Sequence, residues 1–175
     1  MQPQQAAQQQ GGTLTITEQL VQQKMFQKLQ PNEQSIITRV YQAGMKILFS
    51  PQTHQQMVSE FEQQLQKGVD VGQLIGTDMA HIMIVLWNES KGTMPKGALI
   101  PAGTLLVAKA CEFLKDDSIA PVTDANFSSA VHVMTSALMA KFDPKFAATM
   151  QSAQAPATAP TQPQPPASGM LSQGA

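Results

Sequence analysis

Three histidines, one of which has a carboxylate three residues before it, are the first side chains to consider as metal ligands. His54, His81 and His132 fall on three different predicted helices, and Asp78 lies three residues before His81, which puts these two side chains on one helix face. A di-metal carboxylate site in a helical bundle needs acids from several facing helices and a second copy of the motif. The apolar stripes of this chain carry almost no acids. We therefore expect no metal site, a satisfied and partly buried Asp78–His81 pair, and a surface or helix-contact position for His132.

The single cysteine, Cys111, is the other candidate for chemistry. A thiol acts as a nucleophile only when a base is near and the setting lowers its pKa. Cys111 lies in the middle of a predicted helix between Ala110 and Glu112, with no catalytic signature around it. We expect a small buried packing residue, and a lone cysteine also excludes an internal disulfide.

The sequence motifs of common enzyme classes are missing. The chain has no GxSxG, HExxH, CxxC, Walker or GxGxxG pattern. Its segment GALIPAG has two glycines like a phosphate-binding loop, but it lacks the Lys-Ser/Thr end and the preceding strand that such a loop requires. We expect no enzyme activity, no catalytic residue and no cofactor.

The charge pattern argues against binding by electrostatics. Charged residues make up 13% of the 175 residues and the net charge is −1, so no basic field attracts nucleic acid. Lys24, Lys28, Arg39 and Lys46 are interleaved with glutamines rather than gathered into a basic stripe, and we expect no sequence-specific nucleic-acid binding.

The N-terminus lacks the regions of a signal peptide, and the longest hydrophobic segment, Val69–Trp87, is interrupted by polar residues. We expect a soluble protein without a membrane span.

Hydrophobic periodicity predicts an all-α fold, a compact bundle of five to six helices. Two dense apolar segments, Met79–Trp87 and Ala102–Leu114, are predicted to form its buried central helix pair. Alternating β-branched runs and hairpin dipeptides are scarce. Cap residues and breakers place the helices at about Thr17–Leu29, Glu33–Phe49, Pro51–Lys67, Asp70–Trp87, Pro101–Leu114 and Asp124–Lys141.

The connector between the two apolar segments is the main functional clue. Glycines and prolines punctuate it, which predicts a loop, yet it carries Met94, Leu99 and Ile100. Apolar side chains on a loop are buried either by the domain itself or by a partner. Both alternatives stay open, and these three residues are our candidate interface.

The two ends of the chain differ in composition from its middle. A Gln-rich tail (residues 1–13) and an Ala/Pro/Gln-rich tail (residues 147–175) flank a helical domain (residues 14–146). The tails carry too little apolar surface to offset the entropy of ordering, so we expect them to be disordered or extended.

Two consecutive segments, GALIPAGTLLVAKACEFL and APVTDANFSSAVHVMTSALMAKF, follow a distinctive order of turns and helices. An aliphatic-Pro-Ala-Gly turn leads into a helix ending in Phe-Leu, followed by a Pro-Val/Thr break and a final amphipathic helix. In this order of turns and helices, Asp78–Lys145 resembles small virion proteins of tailed bacteriophages. The resemblance implies a structural or assembly role in the head, the tail, the portal-proximal region or the particle interior. It implies portal, capsid or tail proteins, or further copies of the chain, as partners. The implied location is the virion, and the bacterial host cytoplasm during assembly.

Two hypotheses for the function follow. In the first, the chain is a non-enzymatic structural subunit whose loop and tails bind copies of itself or other particle proteins. In the second, it is a small helical adaptor or chaperone-like protein that binds a partner transiently. A third, an enzyme with a metal at Asp78 and His81, would require bound metal that is lost in His81→Ala.

Overall fold

The apolar periodicity corresponds to six helices in the part of the chain that the structure describes. The computed structural model describes residues 13–143, except for the side chains of residues 52–54. Residues 13–143 contain no strand, so the predicted all-α bundle is confirmed. The predicted tails, apart from Thr13, and the side chain of His54 lie outside the described residues. The helices are α1 (Glu18–Phe26), α2 (Pro31–Leu48), α3 (Pro51–Gln66), α4 (Val71–Glu89), α5 (Lys96–Asp116) and α6 (Asp124–Phe142).

Helices α4 and α6 begin where their caps predicted. The Asp70 carboxylate accepts a hydrogen bond from the backbone N–H of Gln73 at 2.9 Å. The Thr123 hydroxyl accepts from the backbone N–H of Asn126 at 3.3 Å, and the Asn126 side chain accepts in return from the Thr123 N–H at 2.9 Å. Such bonds satisfy backbone donors that the first helical turn leaves unpaired.

Helix α5 begins at Lys96, five residues earlier than predicted. Pro101 therefore lies inside the helix, where it removes the backbone hydrogen bond that would reach the carbonyl of Gly97. Gly97 is exposed, so water can satisfy that carbonyl in the first helical turn. The prediction of a loop over residues 97–101 was wrong because proline and glycine were weighed as breakers, although Pro101 removes only the one hydrogen bond to Gly97.

Helix α5 is the centre of the fold. Its buried residues run from Ala98 to Leu114, and it packs against α1, α2, α4 and α6. Helix α4 buries a second run, from Gly72 to Leu86. The two segments that the sequence assigned to the central pair therefore supply most of the core.

Helix α5 is long and apolar enough to cross a bilayer by length and composition alone. It has 21 residues, and its most apolar window has a mean hydropathy of 1.4. Inside the bundle 61% of that window is buried, and the core helix of a soluble protein passes the same test. The central position of α5 is sufficient to account for its apolarity.

Two glycines bring the backbones of α4 and α6 close together. A Cβ atom added at Gly72 would lie 2.7 Å from the carbonyl oxygen of Asn126. At Gly76 it would lie 2.6 Å from the carbonyl oxygen of Ala130 and 2.7 Å from the Cβ of Val133. Cβ atoms do not approach backbone oxygens so closely, so this spacing requires glycine at both positions.

Candidate functional site

The three candidate interface residues lie around the start of α5, and only one of them precedes the helix. Leu99 is 3% exposed and belongs to the core of the chain itself. Met94 and Ile100 are half-buried and pack against that core. The expectation that Leu99 and Ile100 lie on a loop was wrong. Met94 and Ile100 retain accessible surface, and their contact with a partner stays a prediction.

Ile100 lines an apolar groove between the start of α5 and the end of α6, which we call the corner groove. Beside it, the rings of Trp87 and Phe142 lie 5.0 Å apart at an angle of 58°. The Lys96 ammonium lies 6.0 Å from the centre of the Trp87 ring, at the outer limit of a cation–π contact. Phe142 and Lys96 therefore line the groove, whereas Trp87 contacts Phe142 and Lys96 but is not itself a lining residue. Its lining residues are Lys96, Leu99, Ile100, Leu138, Met139, Phe142 and Asp143.

The turn between α4 and α5 holds this corner in place. The Ser90 hydroxyl donates to the carbonyl of Trp87 at 2.7 Å and accepts from the N–H of Met94 at 3.4 Å. Gly92 has a φ of +73° and donates its N–H to the same Trp87 carbonyl at 3.3 Å. Left-handed backbone favours glycine. The turn thus fixes the position of Met94 relative to Trp87, between the end of α4 and the start of α5.

A second groove, which we call the α1 groove, lies between α1, α5 and α6. It has a volume of about 520 Å³, within the usual range for ligand pockets. Helix α1 has no fully buried residue, so its apolar side chains Leu20, Val21 and Met25 remain half-covered. The residues that line the groove are Ile16, Leu20, Val21, Lys24, Met25, Lys28, Leu29, Pro101, Thr104 and Phe127.

Two lysines stand on the rim of the α1 groove. Lys24 and Lys28 are exposed and four residues apart. Within residues 13–143 neither ammonium group has an ion pair or hydrogen bond, and none of the residues lining the groove is acidic. By contrast, Lys109 on α5 pairs with Glu112 at 3.3 Å. The α1 groove therefore combines an apolar floor with unmatched positive charge.

Polar contacts hold the segment before α1 against the bundle. The Asp124 carboxylate accepts hydrogen bonds from the backbone N–H groups of Thr15 at 2.7 Å and Ile16 at 3.0 Å, and from the Thr15 hydroxyl. These bonds, led by the one from the Thr15 hydroxyl, lower the pKa of Asp124. The Glu112 carboxylate accepts from the N–H of Glu18 at 2.8 Å. Charge-assisted hydrogen bonds therefore help to position the wall of the α1 groove, together with Leu14, which is buried in the core.

Asp78 and His81 lie in a cleft between α3 and α4. Asp78 is half-buried and His81 is exposed, and the cleft also holds Gln56 and Glu60. Burial raises the pKa of Asp78 to about 6, the Glu60 carboxylate adds to the rise and His81 opposes it. Of the expected pair, only Asp78 is partly buried. Within the described part of the chain, no three His, Cys, Asp or Glu side chains are grouped to hold a metal ion.

Cys111 and His132 lie where the sequence indicated. Cys111 is fully buried, and burial, with a smaller effect from Glu112, raises the pKa of its thiol to about 12. The reactive thiolate is therefore scarce at neutral pH. His132 is exposed on α6.

Sequence reasoning missed both grooves as assembled surfaces. It noted Trp87 but not its contact with Phe142, because residues so distant in sequence carry no local signal. The sequence placed Lys24 and Lys28 on one predicted helix, but α1 ends at Phe26 and Lys28 lies in the turn that follows.

The comparisons with known proteins identify no relative. No protein-family model, no curated protein and no solved structure matches this chain.

Proposed function

We propose that this chain is a non-enzymatic structural or assembly subunit of a phage particle, which acts by binding other proteins. The observation that carries the proposal is the α1 groove, whose floor is apolar and whose two rim lysines have no carboxylate partner among the described residues. The particle setting rests on the resemblance of Asp78–Lys145 to small virion proteins. The partners would be portal, capsid or tail proteins.

The α1 groove suits an amphipathic helix of a partner protein with carboxylates beside its apolar stripe. The helical part of the wall, from Leu20 to Met25, is about 8 Å long at 1.5 Å per residue, which corresponds to between one and two helical turns. An apolar stripe would cover Val21 and Met25, in the helix-in-groove mode. Carboxylates at the edge of that stripe would face Lys24 and Lys28. Exposed ion pairs contribute little affinity, so apolar burial would drive binding and charge would select the partner.

A set of short designed helices tests the groove. Three peptides share one leucine stripe and differ only in having Glu, Gln or Lys beside it, and fluorescence anisotropy measures their binding to the full chain. We expect the Glu peptide to bind most tightly and to weaken with added salt. The double variant Lys24→Glu/Lys28→Glu should lose the Glu peptide and prefer the Lys peptide.

Lys46→Glu is the matched control, because Lys46 is exposed on α2 and does not line the groove. It should bind the three peptides as the unchanged chain does. Equal binding of all three peptides to the unchanged chain, or an unchanged preference in the double variant, would refute the groove as a binding site for acidic helices.

Particle membership needs a separate measurement. Quantitative mass spectrometry of purified particles, from the phage that encodes the chain, should find it at a fixed copy number. A chain that binds the Glu peptide but is absent from finished particles would instead be a transient adaptor or chaperone-like protein, which is the second hypothesis.

A further inference from the structure

A small apolar pocket, which we call the α2 pocket, lies between the start of α2 and the start of α5. Two of its lining residues, Ile37 and Ala98, are buried in the core. The half-buried side chains of Leu29, Ile36 and Pro101 form its sides. The pocket has a volume of about 140 Å³. An apolar cavity of about 150 Å³ is large enough to bind benzene, so the α2 pocket matches a single aromatic ring.

Two hydrogen-bond acceptors lie at this pocket. Pro101 has no N–H to donate to the carbonyl of Gly97, one helical turn before it, and both residues line the pocket. Helix carbonyls point towards the C-terminal end of the helix, so the Gly97 carbonyl faces the Pro101 side. The Glu33 carboxylate also lines the pocket, and it accepts the N–H of Gln30 at 2.8 Å. A carboxylate can accept further hydrogen bonds, so a ring that suits this pocket carries a donor.

The α2 pocket continues the α1 groove. Leu29 and Pro101 line both of them, so a segment that lies along α1 can extend past these two residues into the pocket. The charge changes along the same path, from Lys24 and Lys28 at the α1 groove to Glu33 at the α2 pocket. An occupant of the whole surface therefore needs carboxylates at one end and a hydrogen-bond donor at the other.

We propose that the α2 pocket binds a tyrosine side chain of the partner protein whose helix lies in the α1 groove. The phenol ring packs between Leu29, Ile36 and Pro101, and its hydroxyl donates a hydrogen bond to the carbonyl of Gly97. A phenylalanine would fill the same space but would leave that carbonyl without a donor, and a site that binds a hydroxyl selects against a ring that lacks one. This inference rests on the proposed function, and it names the side chain that would make the partner specific.

Small-molecule probes test the α2 pocket separately from the α1 groove. p-Cresol and toluene differ by one hydroxyl group and correspond to the side chains of tyrosine and phenylalanine. NMR titration of the full-length chain follows the methyl signals of Ile36, Ile37 and Ala98. We expect p-cresol to shift these signals and to bind roughly fivefold more tightly than toluene, which is the effect of about one hydrogen bond. Equal binding of the two probes, or binding of neither, would overturn the proposal.

Gly97→Val is the variant that should close the pocket. A Cβ atom at Gly97 has no neighbour within 4 Å, so the new side chain extends into the space beside Pro101 without displacing another residue. p-Cresol should then no longer shift the three methyl signals. Ser35→Val is the matched control, because Ser35 is exposed next to Ile36 and does not line the pocket. It should bind p-cresol as the unchanged chain does, and equal binding by the two variants would contradict the site.

The designed peptide with glutamates beside its leucine stripe then connects the α2 pocket to the α1 groove. Tyrosine, phenylalanine, lysine or alanine is placed four residues beyond the stripe, at one end or at the other because a helix can bind in either direction. Fluorescence anisotropy should show the tyrosine peptide binding about tenfold more tightly than the alanine peptide, with the phenylalanine peptide between them. Gly97→Val should abolish this difference.

The outcomes separate the pocket from the groove. Equal binding of the four peptides, with the preference for glutamates retained, would refute the tyrosine site and leave the α1 groove standing. Tightest binding of the lysine peptide would also refute it, because the pocket would then act through the charge of Glu33. Binding of p-cresol without binding of any peptide would support the pocket and refute the α1 groove.

Discussion

The contact between α4 and α6 and the contact between α1 and α5 are built in opposite ways. At Gly72 and Gly76, α4 lies so close to the α6 backbone that no side chain fits between them. Helix α1 has no fully buried residue and leaves a groove of about 520 Å³ beside α5. The start of α1 is held by hydrogen bonds to the carboxylates of Asp124 and Glu112 and by the buried side chain of Leu14.

The α4–α6 contact is thus a rigid support, whereas the α1 side offers surface for binding. Close packing makes the α4–α6 contact intolerant of added volume. A helix with half-covered apolar side chains has surface left for a partner, and elements of low local stability are the ones that move in binding. We infer that binding, where it occurs, uses the α1 side and the corner groove while α4–α6 stays fixed.

The largest expected effect is from Gly76→Val in the α4–α6 contact. The new side chain would meet the Ala130 carbonyl and Val133, neither of which can rotate away as the end of a flexible side chain could. We expect the free energy of unfolding to fall by about 3 kcal/mol, at the upper end of overpacking effects. Urea denaturation followed by circular dichroism measures this change.

Gly97→Val is the matched control, because a Cβ atom at Gly97 has no neighbour within 4 Å and the position is exposed in the first turn of α5. It should change stability by no more than about 0.5 kcal/mol. Equal urea midpoints for the two variants would show that α4 and α6 are not in close contact. The α4–α6 contact would then not differ from the α1–α5 contact in its closeness of packing.

Most of the fold could be predicted because its signals are local. Caps such as Asp70 and Thr123 and the apolar spacing of each helix act within a few residues. The start of α5 was mispredicted for the same reason, since local propensity at Gly97 and Pro101 favours a break. Packing against four other helices overrides that propensity.

The grooves could not be predicted because they arise from packing between distant elements. The contact of Trp87 with Phe142 joins the ends of α4 and α6. It depends on the close approach at Gly72 and Gly76, which sequence analysis had left without an interpretation. Likewise, the burial of Leu99 depends on where α5 begins, so the three candidate interface residues could not be divided into core and surface beforehand.

A smaller, local effect is expected from Asp124→Ala on the α1 side. The substitution removes the acceptor for the N–H groups of Thr15 and Ile16, so the segment before α1 should loosen around the buried Leu14 while α4–α6 remains folded. Amide hydrogen exchange should become faster in residues 15–26 and stay slow in the core of α4. The pKa of Asp124 is lowered in the folded chain, so the same release should occur in the unchanged chain as the pH falls through that pKa.

The control is Asp116→Ala, since Asp116 is exposed at the end of α5 and its side chain has no hydrogen bond or ion pair within residues 13–143. It should leave exchange near α1 unchanged. Should Asp124→Ala instead speed exchange uniformly through all helices, α1 would be part of the cooperative core and the contrast between the two regions would be lost.

The smallest effect is expected at the α3–α4 cleft, where a polar contact opposes stability. The pKa of Asp78 is about 6 in the folded chain, raised first by burial and then by Glu60, against about 3.9 in an unfolded chain. The folded state therefore binds more protons between these values, and stability should fall as the pH rises from about 4 through 6.

Asp78→Asn removes that loss of stability, so its melting temperature should exceed that of the unchanged chain at pH 7 but not at pH 4. Glu60→Gln should reproduce part of the gain, because it removes the second cause of the shift. A gain in melting temperature of equal size at both pH values would show that the charge of Asp78 is not what opposes stability in the α3–α4 cleft.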